Sequence, residues 1–119
     1  MSELRLIKKY PNRRLYDCHQ SRYITLRDLR RLVVDRIEFK VIEKISGKDI
    51  TSGVLLQVVT DQEQGSETLL GNDFLLQLIR FYGGSMAKTV RAYLDESLKR
   101  LMGEDLTTVA ADYESRRNR

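Results

Sequence analysis

The chain has 119 residues, 41% hydrophobic and 32% charged, which suits one compact domain or two small subdomains and excludes a chain disordered throughout. A single cysteine, Cys18, excludes an intramolecular disulfide, and no apolar run approaches the ~18 residues that a membrane span needs, so a soluble, cytoplasmic protein is expected. The net charge of +4 is uneven: residues 1–40 hold eleven of the 21 Lys and Arg but only five of the 17 acids, which points to a polyanion partner or, more plainly, to a basic face that keeps the chain soluble.

Leu4 to Tyr10 alternates apolar and basic residues and reads as a strand. Pro11-Asn12 supplies turn chemistry, since proline fixes φ and asparagine tolerates the left-handed region. Arg14-Leu15-Tyr16 is the expected return strand of a hairpin, Asp17 to Ser21 a polar turn, and Arg22-Tyr23-Ile24 a third short strand. Thr25 and Asp28 form a capping-box pattern ahead of a helix from Leu26 to about Asp35, with Leu26, Leu29, Leu32 and Val33 as its apolar stripe. Phe39 to Glu43 is strand-like, and Ser46-Gly47-Lys48-Asp49 closes a turn. Thr51 or Ser52 can cap a helix over 53–62, with Ile50 as a hydrophobic staple and Leu55, Val58 and Val59 on one side.

Residues 63–71 form the expected linker, polar and containing Gly65. Two amphipathic helices should follow, Phe74 to Tyr82 and about Met86 to Met102, separated by the Gly83-Gly84 stop. The end, 103–119, is expected to be weakly ordered, with Leu106, Val109 and Tyr113 able to extend a helix only weakly. The fold expected is α+β. A small antiparallel sheet with two helices forms a first domain over 1–62, and a helical hairpin over 72–102 is assigned to oligomerisation.

Catalysis finds little support. His19, the only histidine, adjoins Cys18 in a polar turn, and two adjacent ligands leave a zinc site two short. No phosphate loop, dinucleotide fingerprint or serine-hydrolase elbow occurs, so no metal, cofactor or catalytic residue is expected.

The informative segment is Lys8-Lys9-Tyr10-Pro11-Asn12-Arg13-Arg14-Leu15-Tyr16, four bases and two tyrosines around a hairpin tip. Arginine forks suit phosphate oxygens and guanine edges, and a two-stranded ribbon can enter the major groove. Arg22 follows on the third strand, and Arg27, Arg30 and Arg31 make the first helix a competing DNA-reading element. A plainer role for Tyr10, Tyr16 and Tyr23 is to support the sheet from half-buried positions. In the second half, Phe74, Leu75, Leu78, Phe81 and Tyr82, with Val90, Tyr93 and Leu94, form a wide apolar arc. Such an arc can close the protein's own core, face a second copy, or dock on an apolar ligand surface.

Ile7-Lys-Lys-Tyr-Pro-Asn-Arg-Arg-Leu-Tyr-Asp17, Ser21-Arg-Tyr-Ile-Thr-Leu26, Asp28-Leu29 and Val54-Leu-Leu-Gln57 resemble the DNA-binding domain of the polyhydroxyalkanoate (polyhydroxybutyrate) synthesis repressors. Leu75 to Gly84 resembles the short accumulation-regulator domain that follows it, and Cys18 stands where the family commonly has threonine. The resemblance implies a bacterial repressor that binds double-stranded promoter DNA of granule-associated genes. It also implies release by nascent polyester or the granule surface, for which the apolar arc becomes a candidate. An alternative of another class is a granule-surface or scaffold protein whose basic patch meets acidic partners.

Overall fold

The computed structural model describes residues 4–103 in the order β1 (Arg5–Lys9), β2 (Leu15–Asp17), β3 (Arg22–Ile24), α1 (Leu26–Val34), β4 (Phe39–Glu43), α2 (Thr51–Glu63), α3 (Asn72–Phe81) and α4 (Ala87–Gly103). The chain divides into two compact units, Met1–Leu69 and Leu70–Arg119. The expected weak helix and fraying end lie, from 104 onward, outside the described residues.

In the first unit the strands take the order β3-β2-β1-β4. β1 pairs antiparallel with β2, and β2 with β3, as a meander. β4 departs from the expected antiparallel sheet: it runs parallel to β1, Arg5 opposite Phe39 and Lys9 opposite Glu43, so the sheet is mixed. The reason is the crossover. β3 runs with β1, α1 carries the chain back, and the next strand must run with β1 again.

Side-chain alternation gives the sheet two faces. Ile7, Leu15, Asp17, Ile24 and Val41 point inward, where Leu29 of α1 and Val54 of α2 complete a small buried core. Leu26, Leu32, Phe39, Ile50 and Val58 pack around it. Both helices cover this inner face. Val33, expected in the α1 stripe, is exposed instead. Of the side expected to face inward on helix α2, Val58 packs against the core, whereas Leu55 and Val59 are exposed and Val54 is buried instead. Apolar residues at 54, 55, 56, 58 and 59 spread over more than half the helix circumference and leave periodicity little to select.

Local hydrogen bonds set the boundaries. At the start of α1, the Asp28 amide donates to Thr25 Oγ1 (3.2 Å) and the Thr25 amide to Asp28 Oδ2 (2.9 Å), completing the expected capping box. The helix ends in a Schellman motif: the Arg36 amide donates to the Val33 carbonyl and the Ile37 amide to that of Leu32. Arg36 occupies the left-handed position, φ +60°, where glycine is usual. α2 begins earlier than expected and neither Thr51 nor Ser52 caps it; Ile50 holds the cap position without a side-chain bond. Thr51 instead accepts from the Val41 amide (2.9 Å) and donates to Asp49 Oδ1 (2.6 Å), tying the helix to β4.

The second unit holds two helices where two were expected, α3 and α4, and the turn between them carries Gly83 at φ +76°. Neither helix has a buried side chain; Leu78, Val90 and Leu94 are half-buried and the other apolar residues exposed.

Candidate nucleic-acid interface

The β1–β2 hairpin closes through Pro11, Asn12 and Arg13. The Tyr10 amide donates to the Arg14 carbonyl and the Arg13 amide to the Tyr10 carbonyl, both at 2.9 Å. This is a three-residue loop with a type I turn followed by a left-handed residue. Arg13, at φ +68°, takes the left-handed conformation that the sequence had suggested for Asn12. Asn12 accepts instead from the Arg14 amide through its side-chain oxygen (3.1 Å), which holds the loop in shape. Pro11, Asn12, Arg13 and Arg14 are all exposed.

The following turn is anchored from below. Asp17, 1% exposed, accepts from the amides of His19 (2.9 Å) and Gln20 (3.3 Å) and faces Arg5 Nη1 at 3.5 Å. His19 is thus held by its backbone with its side chain exposed, and Cys18 is a half-buried free thiol. Among the described residues, no three His, Cys, Asp or Glu side chains gather where they could hold a metal ion.

The outer sheet face carries the tyrosines, Phe39 being turned to the core. Tyr16 and Tyr23 are cross-strand partners with ring centroids 5.2 Å apart, and Tyr10 lies 6.3 Å and 5.9 Å from them. Edge-to-face and tilted geometries match the ring quadrupoles. The Arg14 guanidinium lies 4.0 Å over the Tyr23 ring, and Lys44 Nζ 4.9 Å over that of Tyr10. The register places Tyr23, Tyr16, Lys8 and Ile42 in one row, with Lys40 beside Leu6 on the same face. The tyrosines therefore brace the sheet and hold cations at the same time.

Not every cation singled out in the sequence joins this face. Lys9 points to the inner side and lines, with Arg13 and Arg14, a cleft of about 690 Å³ against Gln57, Thr60 and Asp61 of α2. Arg22 is held by Gln20 Oε1 at 2.8 Å, near Asp28. Arg27, Arg30 and Arg31 are exposed on α1, in the layer behind the sheet, and Arg31 is bonded to Asp35 at 3.3 Å. The hydrogen bond from the Thr25 amide chiefly holds the Asp28 carboxyl below the usual range against the opposing effect of desolvation, with smaller help from the Thr25 hydroxyl and Arg22. Asp49 is also lowered, chiefly by the Thr51 hydroxyl and amide, and to a smaller extent by Lys40. Lys40 and Lys44 were missed because only the parallel pairing of β4 brings them beside β1; the Lys44 amide donates to the Lys9 carbonyl at 2.9 Å.

In the second unit, Leu78, Phe81, Tyr82, Val90 and Leu94 line a groove of about 320 Å³, with Arg91 and Asp95 on its rim. Phe74, Leu75 and Tyr93 are exposed and lie outside it.

The first unit is thus a small α+β domain that displays cations on a braced sheet and its hairpin tip. Residues 6–66 match the PHB/PHA accumulation regulator DNA-binding domain, and residues 70–104 match the PHB accumulation regulatory domain. The chain belongs to the PHB/PHA accumulation regulator family. It is 50% identical over 98 residues to an uncharacterized protein in the phbA 5′ region of Thiocystis violacea, covering 82% of this chain and 71% of that protein. It is 48% identical, also over 98 residues, to an uncharacterized protein of Allochromatium vinosum, covering 82% of this chain and 64% of the other. No solved structure matches the chain. No helix among the described residues is long and apolar enough to cross a membrane.

Proposed function

We propose that the chain is a non-catalytic, cytoplasmic transcriptional repressor of polyhydroxyalkanoate synthesis and granule-associated genes. It binds double-stranded promoter DNA and is released by nascent polyester. The observation that carries this reading is the exposed tip Pro11–Arg14, which projects two arginines from a unit matching a DNA-binding domain. Arg13 and Arg14 suit phosphate or guanine contacts, and Lys8, Lys9 and Tyr10 flank them. The apolar groove between α3 and α4 supports the second half of the reading. It offers Leu78, Phe81, Tyr82, Val90 and Leu94 to a polyester surface or to another copy of the chain. Self-association as a dimer or tetramer would double or quadruple the phosphate contacts and match a symmetric operator.

The Arg13→Ala, Arg14→Ala double variant is expected to lose sequence-selective duplex binding while keeping its circular dichroism spectrum. Fluorescence titration across salt checks this, since phosphate contacts make affinity fall steeply with ionic strength. Affinity unchanged in a folded double variant would remove the tip from the interface. Equal binding by the unmodified chain to promoter DNA and to any other polyanion would favour a granule-surface or scaffold protein instead. Amorphous polyester particles should displace the prebound duplex; failure to do so would separate DNA binding from polymer sensing.

A further inference from the structure

We propose that duplex DNA lies against the outer sheet face, with the hairpin tip in the groove, Lys8, Lys40 and Lys44 on the flanking phosphates, and the arginines of α1 turned away. This rests on the DNA-binding reading and adds two cations from β4 and the turn after it.

Three observations carry it. First, both helices of the unit pack on the inner face through Leu29 and Val54, which leaves the outer face uncovered by either. Second, the paired strand positions of that face are Leu6, Lys8, Tyr16, Tyr23, Lys40 and Ile42, and the acid paired beside them is Asp49, bridged to Ile42 at the β4 edge, where its carboxylate accepts from Thr51. Arg14 and Lys44 extend the same surface and are held over tyrosine rings. Glu38 precedes β4 at the end away from the tip, and Glu43, opposite Lys9 on the inner face, accepts from the Ser46 hydroxyl.

Third, the dimensions divide the labour. Four strands at about 4.8 Å spacing make a face roughly 15 Å across before side chains are added. A major groove is about 12 Å wide, so the whole sheet cannot sink into it, whereas a two-stranded ribbon can. The tip therefore enters while the face rests on the phosphate ridges. The α1 arginines stand behind the sheet by about a helix diameter of 10–12 Å. That exceeds the Debye length of about 8 Å at physiological salt, and screening leaves them little pull on the same duplex. An unpaired strand suits this face less well, because Arg14 and Lys44 already occupy faces of the Tyr23 and Tyr10 rings.

The test uses the full chain and duplex that the unmodified chain selects from a randomised library. The Lys40→Ala, Lys44→Ala variant is compared with Arg27→Ala, Arg30→Ala, Arg31→Ala by titration over a range of salt. Each lost phosphate contact should make the log-affinity against log-salt slope shallower by about 0.9, hence by about 2 per bound protomer for the lysine variant. Its affinity should fall similarly on selected and random duplex, and the arginine variant should keep the parent slope. Lys40→Gln with Lys44→Gln, which preserves more of each stem, replaces the alanine pair if melting shows misfolding. An unchanged slope in the folded lysine variant overturns the placement. So does an equal or larger loss in the arginine variant, or tighter binding of single-stranded DNA than of duplex. Selection of no duplex at all by the unmodified chain would sink the DNA-binding reading itself.

Discussion

Arg13 and Arg36 both hold left-handed backbone, a conformation that glycine adopts without penalty and that costs an L side chain roughly 1–2 kcal/mol. Arg36 closes the α1 Schellman motif, whereas Arg13 sits at the exposed hairpin tip, where a cation has a use that glycine lacks. Arg13→Gly is therefore expected to raise stability by about 1 kcal/mol and to weaken duplex binding. Arg36→Gly should give a similar gain and leave binding intact. Denaturant midpoints and duplex titrations on both variants check this pair of outcomes. A destabilised Arg13→Gly, or one that binds like the parent, would mean that the side chain is retained at the tip for another reason. The left-handed arginines were not legible in the sequence, because turn chemistry favours asparagine or glycine there and Asn12 was adjacent. Asn12 proved to be the residue whose side chain shapes the loop from a different position.

Helix α1 shows how much a local pattern can specify. Its start was readable because Thr25 and Asp28 carry the whole signal within four residues, and the reciprocal bonds are present. Because the folded Asp28 carboxyl is lowered, its ionised form binds Thr25 better than the protonated form does. The stabilisation is thus fully present above the ordinary aspartate range and is lost as pH falls through the lowered folded value. Asp28→Asn should lower the melting temperature at neutral pH and reduce the parent's acid sensitivity, and Thr25→Ala should cost about 1 kcal/mol. Melting curves at neutral and acid pH test this, and a variant as acid-sensitive as the parent would place the effect elsewhere. By contrast, the pairing of β4 and the inward face of α2 depend on partners distant in sequence. Residues 39–43 read as a strand from their composition, but nothing local says that Lys40 lies beside Leu6. In α2, Val54, Leu55, Leu56, Val58 and Val59 are interchangeable by hydropathy, and only the packed sheet selects Val54 and Val58. The basic tip was legible in the sequence and the cationic face behind it was not.

For the molecule as a whole, the two units meet their stability needs differently. The first has its own buried core of six apolar residues, whereas the second buries no side chain in either helix. Short helices are marginal in water without tertiary packing, which is the physical ground for proposing an apolar partner for α3 and α4. If that partner is another copy, Leu78→Asp should give a monomer by light scattering and weaken operator binding on the order of 100-fold through lost avidity. Parent mass in the variant would move the self-association face away from the groove. The parallel pairing of β1 with β4 also governs the order in which the first unit can form. Its central strand is synthesised first, yet its outer partner begins only at Phe39. The meander of β1, β2 and β3 can assemble from neighbouring residues, whereas β4 must first close a long loop at an entropic cost. Until it does, the flank of β1 is an unpaired edge through which an incomplete chain could pair with another of its kind.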